Sequence, residues 1–208
     1  MRHILKRLRF HLARIRSQGL LKSSEYALFT ALGERWGIEI QAAYAIPRGS
    51  PPAQDPSLGL SLIRSLQDLS VEDQSALTEY AGQDALHAWL RAFAAGRSAA
   101  IARVEGCLAC VCWIHIAECW PPVTDQPVAL LMSCFTLPAY RGRGLYAQTL
   151  RFGASSVTDR PVIVECSVFN HASLQGIEKA GAHRIGTTWR LGARASYRPV
   201  PQGAAVGR

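Results

Sequence analysis

Hydrophobic and polar positions change period several times along the chain, and each change predicts an element. Residues 1–22 place Ile4, Leu5, Leu8, Leu12 and Ile15 on one face of a helical wheel and Arg2, Lys6, Arg7, Arg9, Arg14 and Arg16 on the rest, the pattern of a basic amphipathic helix. From Gly37 the period becomes two, with Ile38, Ile40, Ala42, Tyr44 and Ile46 on one face of a strand whose role the sequence does not reveal. The proline-rich stretch PRGSPPAQDPS at 47–57 predicts a linker or surface loop. A strand over LGLSLIRSL follows. Ser70 and Asp73 then make a capping-box-like start to a helix reaching about Tyr80, and a second helix is expected from about Asp84 to Ala95. SAAIARVEG and CLACVCWIHIAE predict two strands of a hairpin.

The most informative run begins at residue 128. An apolar strand stops at Leu137-Pro138, because proline has no amide hydrogen and fixes its own φ. Gly142 and Gly144 permit a sharp turn, and a helix reopens at about Leu145. The first amides of a helix lack intrahelical partners and sit at the positive end of its dipole, so a strand-to-helix turn of this kind suits a pyrophosphate. Arg141 and Arg143 add charge beside it. A second such unit spans 161–182, PVIVECSVFNHASLQGIEKAGA: an apolar strand, then N-x-x-S at Asn170 and Ser173, then a helix closing on Gly181.

Spacing excludes two other phosphate-binding motifs. No G-x-x-x-x-G-K-[ST] string exists, and G-R-G-L-Y-A lacks the third glycine of the dinucleotide fingerprint. The string resembles the R-x-x-G-x-G/A motif of the GNAT acyltransferase superfamily, with Arg141, Gly144 and, at the usual Gly/Ala position, Tyr146. The unit at 161–182 resembles the GNAT fifth strand and the helix after it. Matching segments cover roughly residues 58–190.

The resemblance implies an α/β (α+β) fold with a mixed, mostly antiparallel central sheet flanked by helices, here carrying an N-terminal helical extension. It also implies a division into an extension at 1–57, an acyltransferase domain at 58–192 and a basic tail at 193–208. The implied cosubstrate is acetyl-CoA or another acyl-CoA, with no metal. Its pyrophosphate would lie on the amides around Gly142, Arg143, Gly144, Leu145, Tyr146 and Ala147, beside Arg141. Its pantetheine would pair with the backbone of Ser133, Cys134, Phe135 and Thr136, and Asn170 and Ser173 would complete the cofactor site. In the protein N-terminal acetyltransferase branch, a glutamate five residues before the Asn of N-x-x-S acts as base through water, and Glu165 has that spacing. The alternative for Glu165 is a strand-end carboxylate satisfied by an arginine. The branch also has a tyrosine seven residues after that Asn, where this chain has Ile177. Tyr146, His115 and His171 are the remaining candidates for a proton donor.

Charge placement changes the picture further. The net charge is +8, yet residues 1–22 hold seven basic side chains and no acid, and residues 179–208 hold six and no acid. By difference the body has ten basic against fifteen acidic residues, so it is net negative with basic ends. The excess of bases sits on the termini and the body is net negative, so no nucleic-acid partner is expected. The N-terminal helix has three readings: docking on the body, lying on an anionic membrane surface, or a transit peptide. An acyl carrier protein is a further candidate partner for it. The six cysteines, including C-x-x-C-x-C at 107–112, suit reduced thiols packed in a cytoplasmic protein better than a metal site, because residues three apart on a strand face opposite ways. The expected reaction is acyl transfer from acetyl-CoA to a primary amine on a small molecule or protein. The alternatives are a long-chain N-acyltransferase fed by acyl-CoA or an acyl carrier protein, and a non-catalytic acyl-CoA-binding module. Trp89, Phe93, Trp113 and Trp120 are expected either to line the acceptor site or to pack the core.

Overall fold

A computed structural model describes residues 37–47, 58–82 and 84–201, together with Ala27, Leu28 and Ala31. The predicted N-terminal helix and most of the proline-rich stretch lie outside the described residues. In chain order the elements are β1 (Ile38–Ile46), β2 (Leu58–Ile63), α1 (Val71–Ala81), α2 (Asp84–Ala94), β3 (Ser98–Val104), β4 (Cys107–Ala117), β5 (Val128–Thr136), α3 (Leu145–Ser155), β6 (Val162–Ser167), α4 (His171–Lys179), β7 (His183–Leu191) and β8 (Arg194–Pro199). The strands form one sheet in the order β2-β3-β4-β5-β6-β1-β7-β8. Every neighbouring pair is antiparallel except β5 and β6.

Alternation along the strands sends side chains to two separate cores. On one face, Ala100, Cys112, Ile114, Leu131, Val162, Val164 and Cys166 pack with Leu150 and Ala154 of α3 and Ile177 of α4. On the other, Ile101, Val111 and Trp113 pack with Leu77 of α1 and Trp89 of α2. Leu77, Leu150 and Ile177 are fully buried, and each such side chain contributes roughly 1.5–3 kcal/mol. α3 lies close on the sheet where Gly153 faces Ala100: a Cβ at 153 would stand 3.3 Å from the alanine methyl.

Two strands fall in segments that the sequence places outside the acyltransferase domain. β1 belongs to the 1–57 extension, yet it is an interior strand, hydrogen-bonded to β6 on one side and β7 on the other. Its Ala42, Ala43 and Tyr44 are buried. The alternation at 38–46 therefore marks a strand closing the gap between β6 and β7. β8 belongs to the 193–208 tail and pairs along β7 from Gly186 to Leu191. Tyr197 lies flat over Gly186, where a Cβ would come within 2.2 Å of the ring, and its hydroxyl donates to the Ile185 carbonyl at 2.8 Å. Arginines and a proline along β8 suit an edge strand.

Candidate active site

The parallel pair β5 and β6 opens along its length. Their pairing covers only Ala129, Leu130 and Leu131 against Val162, Ile163 and Val164, although β5 continues to Thr136 and β6 to Ser167. Beyond Leu131 the register of β5 against β4 shifts between Val111 and Trp113, and Ser133 adopts φ +49°. This is a β-bulge, an extra residue that bends the strand, and it directs β5 away from β6. Ser133, Cys134, Phe135 and Thr136 thus form one wall of a wedge, and Glu165, Cys166 and Ser167 the other.

At the open end of β5 the chain makes a short 3-10 turn, Pro138–Tyr140, and enters α3 through Gly142 at φ +80° and Gly144 at φ +74°. Nothing lies within 4 Å of a Cβ built on either glycine, so they are selected by the turn's conformation. Gly144 is the N-cap of α3 and supplies no side-chain cap, and the first turn holds no acid. The leading amides of Leu145, Tyr146 and Ala147 are therefore left to a ligand or solvent. Arg141 is exposed and makes two hydrogen bonds within the protein. Its Nε donates to the Thr136 carbonyl at 3.2 Å and its terminal nitrogen reaches the Tyr80 hydroxyl at 3.5 Å. Tyr80 in turn stacks on Phe135, with centroids 5.1 Å apart. Arg141 thus ties the turn to β5 and α1. Arg143 is exposed, with its guanidinium 5.5 Å from the centre of the Tyr140 ring.

Tyr146, at the motif position where Gly or Ala is usual, is accommodated by a glycine on the facing helix. A Cβ on Gly176 of α4 would lie 2.5 Å from the Tyr146 ring. The ring packs against the core cluster that includes Val164, Cys166 and the half-buried Cys134. Burial pushes the hydroxyl's pKa well up, the thiols of Cys134, Cys166 and Cys112 act in the same direction, and the Ser173 hydroxyl opposes them. Cys134 Sγ lies 2.7 Å from Cys112 Sγ; burial, then Cys112, raises the Cys134 thiol. Asn170 occupies the N-cap position of α4 without a side-chain capping bond. Ile177 points into the core with no exposed surface.

Glu165 stands on the opposite face, with Ile163, and is the first β6 residue past the last β5 pair. Its side chain is 7% exposed. One oxygen accepts from the Thr188 hydroxyl at 2.9 Å. The other accepts from Trp120 Nε1 at 2.8 Å and from the Arg190 guanidinium at 3.2 Å. Arg190 also lies 5.3 Å from the centre of the Trp120 ring and 3.8 Å from Glu39 of β1. The arginine partner expected in one of the two sequence readings is therefore present. The Oε1 atom accepts one hydrogen bond and keeps a lone pair for a proton or a water. Trp120 enters the site as a hydrogen-bond donor, whereas Trp89, Phe93 and Trp113 pack together with ring centroids 4.7–6.0 Å apart.

The wedge thus joins two chemically different sides: a helix start and tyrosine on one face, a bound carboxylate on the other. No family model matches the sequence, and no curated protein does. Among solved structures, the chain is similar to a putative acetyltransferase of the GNAT family from Novosphingobium aromaticivorans, with TM-score 0.50 and 18% identity over 74% of this chain and 63% of that one. An acetyltransferase from the GNAT family from Colwellia psychrerythraea gives TM-score 0.52 and 13% identity over 74% and 56%. The chain shares the fold of these two proteins. A functionally unknown conserved protein from Staphylococcus epidermidis gives TM-score 0.54 and 12% identity over 80% and 66%. This chain therefore spans about 63% and 56% of the two GNAT proteins it matches. The GNAT-like features read from the sequence, a strand–turn–helix cradle at 128–155 and a strand–helix unit at 161–182, coincide with β5–α3 and β6–α4. Thr188, Arg190 and Gly176 were missed. Each acts through a residue 23, 25 or 30 positions away (Glu165 or Tyr146), and no local motif signals such a partnership.

Proposed function

We propose that the protein is an N-acyltransferase moving an acetyl group from acetyl-CoA to a primary amine of a small molecule or protein. The observation that carries this is the uncapped start of α3 beside the parted β5 and β6, with a buried carboxylate across the split. In this reading the pyrophosphate rests on the α3 amides, and the pantetheine runs into the wedge along Ser133, Cys134, Phe135 and Thr136, with Asn170 and Ser173 beside it. The acyl carbon then emerges towards Glu165. A β5 amide exposed by the bulge stabilises the oxyanion that forms as the amine attacks. A lysine-like amine, with a pKa of about 10.4, must lose a proton first. Glu165 accepts it through water at Oε1, which has one donor at present. The ion pair of Glu165 with Arg190 favours one rival, a module that binds acyl-CoA without turnover.

Thermal melting with acetyl-CoA and then a long-chain acyl-CoA tests the reading. A ligand present at a hundred times its dissociation constant stabilises the folded state by about 2.7 kcal/mol. Stabilisation by acetyl-CoA together with CoA release on a panel of polyamines, aminoglycosides and lysine peptides is the expected result. Stabilisation by the long chain alone would redirect the reading to long acyl donors. Stabilisation without turnover on any amine would leave the binding module, and no shift with either thioester would remove the acyl-CoA site.

A further inference from the structure

The last strands of the sheet carry side chains that the core does not use. Residues paired directly across antiparallel strands share a face, so Trp189 stands beside Ile40 and Leu191 beside Ile38. This is the face on which Ala42 and Tyr44 pack into the core with Ile177 of α4. Farther out, Ile38 and Ile40 are half-buried, while Trp189 is 49% exposed and Leu191 59%. Single exposed apolar side chains are ordinary, but contiguous ones mark an interaction surface. β8 adds charge to the same face: Arg194 pairs with Leu191 and Arg198 with Thr187, and both arginines are exposed. The Arg184 guanidinium reaches the Thr187 hydroxyl at 2.8 Å. Three arginines thus border the two apolar side chains. Glu178 of α4 accepts the Tyr44 hydroxyl at 3.3 Å, and Glu39 and Glu165 lie on the opposite face with Arg190.

A second stretch of the same chemistry is tethered to this end of the sheet. Gly192 and Ala193 form the turn between β7 and β8, and the Gly192 amide donates to the Gly37 carbonyl at 3.1 Å. The chain therefore enters β1 at the tip of this hairpin, and the sequence leading to it opens with residues 1–22, which hold seven bases, no acid and an apolar stripe at helical spacing. We propose that the tip and α4-side face of the β7–β8 hairpin dock on an anionic lipid bilayer. Trp189 lies at headgroup level, where an amphipathic ring is favoured. Leu191 enters the acyl boundary, and Arg184, Arg194 and Arg198 face the lipid phosphates. Affinity in such contacts grows with the apolar area buried and with each base near the surface. A second copy of the chain is the poorer occupant, because a two-fold contact sets the patch against itself and brings like charges together. The assignment does not depend on the acyl-CoA reading.

The test sediments the full chain with vesicles of phosphatidylcholine and, separately, of phosphatidylcholine and phosphatidylglycerol in equal parts. The wild type should partition to the anionic vesicles and not to the neutral ones. Binding should weaken in about 1 M salt, where the screening length falls to about 3 Å. Arg194→Glu combined with Arg198→Glu, and separately Trp189→Ser, should each lower the partition coefficient about tenfold or more, with melting curves confirming that these exposed substitutions leave the fold intact. Hydrogen exchange on the wild type should show anionic vesicles protecting the segment 188–198. No partition to the anionic vesicles would overturn the proposal, and so would equal partition to both kinds. Hairpin variants that bind like the wild type would overturn it by leaving the N-terminal stretch as the anchor. Absence of vesicle-dependent protection at the hairpin would do so even if a variant misfolds. A lipid-free dimer in sedimentation velocity that Trp189→Ser dissociates would assign the patch to a second copy instead.

Discussion

Asp73 and Glu165 are both buried carboxylates facing an arginine, and they sit in opposite circumstances. Asp73, 2% exposed, receives Arg103 at 2.7 and 3.2 Å, the Leu108 amide at 3.1 Å and the Ser70 amide at 3.3 Å, while its own amide donates to Ser70 Oγ. Those contacts stitch the start of α1 to β3 and β4 where the sheet is continuous. Glu165 receives a similar set from Arg190, Thr188 and Trp120, but at the residue where β5 and β6 have just parted. The same pairing is therefore structural in one place and, under the proposed function, adjacent to reactants in the other. Carboxylate burial with an arginine does not distinguish the two; the proposed role of Glu165 rests on its position at the opening in the sheet.

The comparison breaks most visibly at Asp73. Replacing it by alanine leaves Arg103 without its carboxylate, the Leu108 amide unsatisfied and the Ser70 amide without its half of the capping box. Urea unfolding should show a loss of about 3–5 kcal/mol. Glu165→Gln should behave otherwise: the neutral isostere keeps its shape, so acetyl-CoA should still raise the melting temperature, while turnover falls about a hundredfold or more. Unchanged turnover would put Glu165 in the same structural class as Asp73.

The fit between α3 and α4 sharpens the contrast at an intermediate scale. Gly176→Ala should cost about 1–3 kcal/mol by overpacking against Tyr146. Adding Tyr146→Ala should remove most of that cost, and additivity of the two losses in a double-mutant cycle would refute the contact. At Gly144, where space is open but φ is +74°, alanine should cost about 1 kcal/mol through backbone strain alone. Its effect on acetyl-CoA affinity, measured by calorimetry, should exceed its effect on unfolding if the turn is the phosphate cradle.

The smallest effect lies at alkaline pH. Tyr44 is pushed up to about 12, by burial first and then by Glu178, whose carboxylate accepts its hydroxyl at 3.3 Å. An unfolded tyrosine ionises near 10, so the protonated folded form contributes stability that is fully present below pH 10 and lost as pH rises towards 12. Tyr146 and Tyr197 are shifted in the same direction. Stability should therefore hold from neutrality to about pH 10 and decline above it, with Tyr44→Phe making that decline shallower; an unaltered slope would show that Tyr44 titrates normally.

Local features were legible where a short stretch meets its own constraints. Ser70 and Asp73 form the capping box that their spacing predicts, Pro138 follows the end of β5, and Gly144 opens α3. The apolar strand at 161–167 and the helix after Asn170 are likewise in place. Partnerships at a distance were not legible. Arg141 carries the expected motif position and also bonds Thr136 and Tyr80, because folding brings α1 beside that turn. Trp120 could be read as lining or core, and only the fold turns its ring nitrogen to Glu165.

The sequence by itself determined the periods of the strands and helices, the glycine turn and the GNAT-like order from residue 58 onward, since these depend on backbone preferences and on neighbours a few residues apart. It also showed that 38–46 has a strand's alternation. Only the tertiary structure decided that this strand lies between β6 and β7, that β5 bends away from β6, and that a tyrosine and a glycine on two helices fit one another. Strand order, the opening of a sheet and the complementarity of packed side chains depend on which distant surfaces are buried together, and a linear pattern carries no record of that pairing.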